Sequence, residues 1–282
     1  MSGVQQQVRQ FYDQVGWQQL DEGCFQNAHY EDLRPVSAEY IHRCHLRLLR
    51  HLRSDGKFFL DAGSGPIQYN EYLAYSNGYT YRVCVDLSIV ALQQARQRIG
   101  THGLFVVADV AHLPFRNDVF EGVVSLHTFH HLPLEDHQRA FRELYRVMGR
   151  NSTAVVVNGW DTPPLTRILE SPLNIRRWIR KTYRALKIKL GLISQSTVEP
   201  KATFVHKNTA DHLKKMLSDE MQVAIFCWRS VSVRFLRTYI HRGLGGRWLL
   251  KALFWLEEKY PRFFGENGQY PLIVITKDEP AA

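Results

Sequence analysis

The chain has 282 residues, 45% of them hydrophobic, and carries a formal net charge of +9 with a pI near 9.4. That is enough apolar material for one elaborated domain with a large core. Cys24, Cys44, Cys84 and Cys227 lie far apart with no CxxC pair, so neither a zinc site nor a disulfide framework is expected, and a reducing, cytoplasmic compartment is. The opening MSGVQQQVRQFYDQVGW is polar and helix-periodic, unlike a signal peptide, and no later stretch has the uncharged length of a membrane span. The positive charge suits phosphate-bearing or anionic-membrane partners and equally an ordinary basic protein.

Residues 1–55 read as a helical N-terminal cap. One helix is expected over Val4 to Val15 and another over Ala38 to Leu52, where Ile41, Leu48, Leu49 and Leu52 share a face and Gly56 ends the run. Residues 56–160 change to short apolar runs that alternate with helical stretches. FFLDAG, YRVCVDL, GLFVVADV, FEGVVSLH and TAVVVNGW read as strands, separated by NEYLAYSNG, IVALQQARQRI and the amphipathic DHQRAFRELYRVM. Such alternation implies parallel strands joined by right-handed crossovers in a doubly wound α/β sheet. Residues 161–202 form a basic, proline-bounded helical insertion that contains Arg176, Arg177, Trp178, Arg180, Lys181 and Arg184. Residues 203–282 return to the core with a capped helix at NTADHLKKMLSD and strands at MQVAIFCW and PLIVITKD. A second helical insertion at about 228–268 separates those two strands.

The chemistry is expected in the turns. Gly63 and Gly65 follow the first strand, where a backbone packed on a cofactor tolerates no side chain and needs positive φ. Asp86, about 20 residues further on, ends the second strand, where a carboxylate can accept both hydroxyls of a ribose. Asp109 ends the third strand and can accept from an exocyclic adenine amine, with Leu87 and Val110 on either side of the ring. Together they make a nucleoside pocket. A nicotinamide dinucleotide fits less well: Ile67 stands where its third glycine belongs, and Asp61 beside the turn repels a pyrophosphate.

LDAGSG, CVDLS, VVADVAHLPF and DVFEGVVSLHTFHHL, in this order and spacing, resemble the class I S-adenosylmethionine-dependent methyltransferases, and within them the small-molecule branch of the ubiquinone and menaquinone enzymes. The resemblance implies a Rossmann-like, doubly wound seven-stranded sheet with the helical cap and helical lid insertions. It implies S-adenosyl-L-methionine as cofactor. Asp61 with the backbone at Gly63 and Gly65 would hold its methionine end, Asp86 the ribose, and Asp109 with Val110 the adenine. Tyr12 resembles a tyrosine that covers the cofactor, or is a core aromatic, and His127 would form a lip of the pocket.

Methyl transfer from a sulfonium asks the protein to align the acceptor and exclude water, and a base helps where the acceptor is a hydroxyl or an acidic carbon. His131 and His130 are candidate bases, with packing or helix capping as their alternative roles. No carboxylate or cysteine spacing beside them suggests a metal. The acceptor is expected to be a small molecule, hydrophobic or a specialised metabolite. The basic insertion, and a late aromatic stretch with Trp228, Phe235, Tyr239, Trp248, Phe254 and Trp255, would lie at the strands' C-terminal edge as a lid. Peripheral contact with an anionic membrane remains a second use of the basic helix. Nucleic-acid methylation is the alternative acceptor class, disfavoured because LHTFHH replaces the N/D-PP-Y/F/W signature. A scaffold that binds the nucleoside without transfer is the non-enzymatic alternative.

Overall fold

Every apolar run read as a strand forms one in the computed structural model, which describes residues 3–17, 31–172, 174, 182–183 and 203–278. These are β1 (Gly56–Ala62), β2 (Tyr79–Asp86), β3 (Gly103–Val107), β4 (Phe120–Leu126), β5 (Met148–Val157), β6 (Gln222–Arg229) and β7 (Tyr270–Lys277). The sheet order is β3-β2-β1-β4-β5-β7-β6. β1 to β5 are mutually parallel, and β7 runs antiparallel between β5 and β6. Because both faces are covered, the central strands are apolar at consecutive positions. Leu60, Val83, Val123 and Ala154 pack on one face, and Phe59, Cys84, Val124 and Val155 on the other.

The helices of the described residues include α1 (Gly3–Phe11), α2 (Ala38–Leu46), α3 (Ile89–Ile99), α4 (Leu134–Val147), α5 (Ala210–Leu217), α6 (Val233–Tyr239), α7 (Gly246–Lys259) and α8 (Pro261–Asn267). Side-chain caps mark their starts: Ser88 Oγ accepts from Ala91 N at 3.1 Å, and Thr209 Oγ1 from His212 N at 3.3 Å. α4 buries Ala140, Phe141, Leu144 and Val147 at helical spacing against the sheet.

Three local expectations differ. The first helix is α-helical only to Phe11 and continues as a π turn over Tyr12–Gly16. The second narrows to a 3₁₀ turn over Arg47–His51, and Leu52 is already extended, so Gly56 does not end a helix but begins β1. NEYLAYS closes as a 3₁₀ helix.

Of the late aromatic residues, Trp228 stands at the sheet edge, whereas Trp248 and Trp255 face solvent at 75% and 58% exposure. The reason is that α7 turns its other side to α2. Tyr40, Ile41 and Cys44 pack there with Leu236, Leu250 and Phe254. In the same contact, buried Glu257 accepts from Tyr40 Oη (2.8 Å), Arg47 Nη2 (2.9 Å), Ser230 N (2.9 Å) and Ser230 Oγ (2.6 Å). α8 follows and lies so close on β6 that a Cβ at Gly265 would be 2.4 Å from the Phe226 carbonyl. Arg176, Arg177, Trp178, Arg180, Lys181 and Arg184 lie outside the described residues. No helix among the described residues is long and apolar enough to cross a membrane.

Candidate active site

The chain leaves β1 toward β2 on one side and β4 toward β5 on the other, so a crevice opens between the C-terminal ends of β1 and β4. A cavity of about 410 Å³ occupies it. Its walls bring together Tyr12, Asp61, Gly63, Gly65, Asp86 and Leu87 with Asp109, Val110, His127, His130 and His131.

The first turn needs its glycines. Gly63 has φ +78°, and a Cβ there would lie 2.2 Å from Thr128 Oγ1; Gly65 has φ +51°, with Trp17 2.9 Å from the corresponding point. The conformation extends to Ile67, a buried β-branched residue at φ +56°. The turn thus keeps the left-handed backbone that glycine would supply, with local strain in its place.

Three carboxylates end the first three strands in different states. Asp61 Oδ2 accepts from Arg82 Nε at 3.1 Å and Nη2 at 2.5 Å, both residues being buried. This pairing removes the expected repulsion of a pyrophosphate, so Asp61 does not discriminate against dinucleotides as the bare sequence suggested. Asp86 accepts from Gly65 N and Ser88 N, each at 2.9 Å. Although its side chain opens on the cavity, desolvation pushes its carboxyl up to about 6, against the two backbone hydrogen bonds and with help from Asp61 and Asp13. Asp109 accepts from Ala111 N at 3.0 Å and from Gln5 Nε2 at 2.7 Å.

The N-terminal segment roofs the crevice. Besides Gln5 on Asp109, Ser88 Oγ donates to Asp13 Oδ1 at 2.5 Å, and Tyr12 stacks on Trp17 with ring centroids 4.8 Å apart. Tyr12 Oη also lies 2.7 Å from His131 Nε2. The other nitrogen of that ring, Nδ1, is 2.8 Å from the Phe204 carbonyl, which can only accept. Hence Nδ1 carries the proton and Nε2 accepts from the tyrosine hydroxyl. His130 Nδ1 is similarly held by Asn158 Oδ1 at 2.6 Å. Burial lowers His131 to about 4 and His127 to about 3, and holds His130 well below its ordinary value. All three are neutral imidazoles at pH 7.

His127 meets Trp228 and Tyr270 edge to face at 5.1 and 5.7 Å. It lines the cavity together with Glu31, Lys207 and Arg229. Sequence reasoning missed those three, and also Gln5 and Arg82. Arg82 had a signal, a charged residue inside an otherwise apolar strand; Gln5 and Lys207 had none, because only the tertiary fold brings them to the strand ends.

Residues 60–156 match the family model described as "Methyltransferase domain". The chain carries a class I S-adenosylmethionine-dependent methyltransferase domain. The methyltransferase GfsG of Streptomyces halstedii is 32% identical over 152 residues, 49% of this chain and 54% of that protein, so the likeness spans about half of the relative's length. The malonyl-[acyl-carrier protein] O-methyltransferase of Legionella pneumophila is 26% identical over 250 residues, covering 86% of this chain and 82% of its own. The methyltransferase fold extends further than the family match. A geranyl diphosphate methyltransferase structure, 14% identical, covers 98% of this chain and 100% of its own with a TM-score of 0.54.

The domain's cofactor fits the donor set. Glycines leave room where side chains would collide, two carboxylates accept at adjacent strand ends, and Leu87 and Val110 supply apolar walls between them.

Proposed function

We propose that the protein transfers a methyl group to a small-molecule acceptor through a hydroxyl or another group that sheds a proton. Asp86 takes the ribose hydroxyls, Asp109 the adenine amine between Leu87 and Val110, and the turn at Gly63 and Gly65, beside Asp61, the methionine end. Bound there, S-adenosylmethionine supplies an electrophilic methyl group on a sulfonium. The observation that carries the reading beyond cofactor binding is the 2.7 Å contact of Tyr12 Oη with His131 Nε2. As the methyl group transfers, the acceptor's proton becomes strongly acidic and passes to Tyr12 Oη while Tyr12 passes its own to Nε2 of neutral His131, whose tautomer the Phe204 carbonyl fixes. The roof of α1 and Trp17 excludes water from the same space.

A relative named as an O-methyltransferase of malonyl-[acyl-carrier protein] supports transfer to a small acyl group, there borne on a carrier protein. The proposal is tested by calorimetric titration with S-adenosylmethionine, S-adenosylhomocysteine and NAD, followed by an acceptor screen. Micromolar binding of the two sulfur nucleosides but not NAD is expected. Tyr12→Phe and His131→Ala should then each lower transfer at least about tenfold. Nucleoside binding with no transfer to any acceptor would favour the scaffold reading, and equal binding of NAD would overturn the cofactor assignment.

A further inference from the structure

Beside His127 in the cavity wall, three parts of the chain distant in sequence converge. Arg229 ends β6, Tyr270 begins β7, and Lys207 belongs to the segment that runs beside His130 and His131. That segment is pinned by His206 N donating to the His130 carbonyl at 2.7 Å and by the His131 contact with Phe204. Lys207 lies flat over Gly159: a Cβ there would be 3.3 Å from Nζ and 3.6 Å from the Tyr270 ring. The Arg229 guanidinium sits over that ring, 4.6 Å from its centroid. Two cations and an aromatic face therefore share one wall.

Their charges are not balanced. Arg229 is 2% exposed and its Nη1 donates to Glu31 Oε1, while its Nε has no hydrogen-bond partner among the described residues. Lys207 makes neither a hydrogen bond nor an ion pair among the described residues; Asp161 acts on it only from a distance. Among the described residues the other titratable groups here are neutral His127, His130 and His131, the phenols of Tyr69, Tyr72 and Tyr270, and His45 behind Glu31. Asp61 is paired with Arg82. Among the described residues one positive charge thus remains uncompensated in a partly desolvated wall, where an unpaired charge is costly and an anion offsets it. Tyr69 and Tyr72 line the same cavity as an aromatic surface.

We infer that Lys207 and Arg229 form an anion subsite that anchors the acceptor by a carboxylate or phosphate group, with its apolar body along Tyr69 and Tyr72. The assignment rests on the methyltransferase reading for what is anchored, but not for the anion site itself. It gives a role to a buried arginine with an open Nε. It also leaves Tyr12 and His131 to the reacting atom.

The test is calorimetry on the full chain with octanoate, octyl phosphate and 1-octanol, each with and without saturating S-adenosylhomocysteine. At least one of the two anions is expected to bind about tenfold or more tighter than the alcohol, the difference being a charge-assisted contact. Whichever binds more tightly tells a carboxylate head from a phosphate head. Lys207→Met should remove that preference and leave S-adenosylhomocysteine affinity unchanged, and Lys207→Arg should retain it. Because Lys207 has no hydrogen-bond or ion-pair partner among the described residues, its variants avoid the folding risk of changing Arg229, which pairs with Glu31. Octanol binding as tightly as both anions, or an unaltered preference in Lys207→Met, overturns the subsite. Failure of S-adenosylhomocysteine to bind would overturn the methyltransferase reading, and the anion titrations without it still decide the subsite.

Discussion

A carboxyl raised to about 6 at the end of β2 makes Asp86 the residue whose charge should govern cofactor affinity. The sign follows from the direction of the shift. Below about pH 6 the folded, ligand-free protein holds Asp86 protonated; above it the carboxylate forms and can accept two ribose hydroxyls. Affinity for S-adenosylhomocysteine is therefore expected to rise from pH 5 to pH 7, by up to about tenfold per unit below the midpoint. Asp86→Asn should bind more weakly and with little dependence on pH over that range, as read by titration calorimetry. The histidines act in the same direction on stability, which they favour at higher pH. With His131 and His127 lowered to about 4 and 3, their contribution is full above the unfolded value near 6.5 and is lost as pH falls toward those values. Position and chemical type of Asp86 were both legible in the sequence, because strand alternation locates a strand end. Its raised pKa was not, since that depends on which groups enclose it.

The roof is decided at the level of an element. Reading Val4 to Val15 as one regular helix places Tyr12 on a helical face; the π turn over Tyr12–Gly16 instead brings it over the crevice. Gly16 makes this possible, since a Cβ there would fall 2.4 Å from Tyr12 Cδ1. Gly16→Ala should therefore displace the ring and break the Tyr12–His131 hydrogen bond without unfolding the protein. The check is the ¹⁵N resonance of His131 Nε2 in histidine-labelled protein, which should move in Gly16→Ala as it does in Tyr12→Phe. An unmoved resonance would mean that the ring keeps its place. Strands and regular helices were legible because their periods repeat over many residues; Ile89–Ile99, for example, was marked by its apolar spacing. A single wide turn leaves no period, and neither does the tethering of Gln5 to Asp109, so of the roof only Tyr12 was legible, and that through the family resemblance.

Over the whole molecule, the early and late parts of the chain are joined by buried charge. Arg47 reaches Glu257 at 2.9 Å and Glu258 at 2.8 Å, tying the end of α2 to α7. Glu257→Ala leaves Arg47 without one buried partner and removes the acceptor of Tyr40 and Ser230, so a loss of about 3–5 kcal/mol is expected in urea unfolding. Glu258→Ala, at the more exposed partner, should lose less than about 1 kcal/mol. Similar losses for the two would contradict this account. The sheet order carries a consequence for biosynthesis. β6 hydrogen-bonds to β7, so as the chain is made from its N-terminus β6 must wait through residues 230–269 for its neighbour. Until β7 arrives, β5 is an open edge able to pair with another chain. A nascent chain stalled before Tyr270 would therefore already carry the glycine turn and the three strand-end acids, yet be prone to stick to its neighbours on the same polysome.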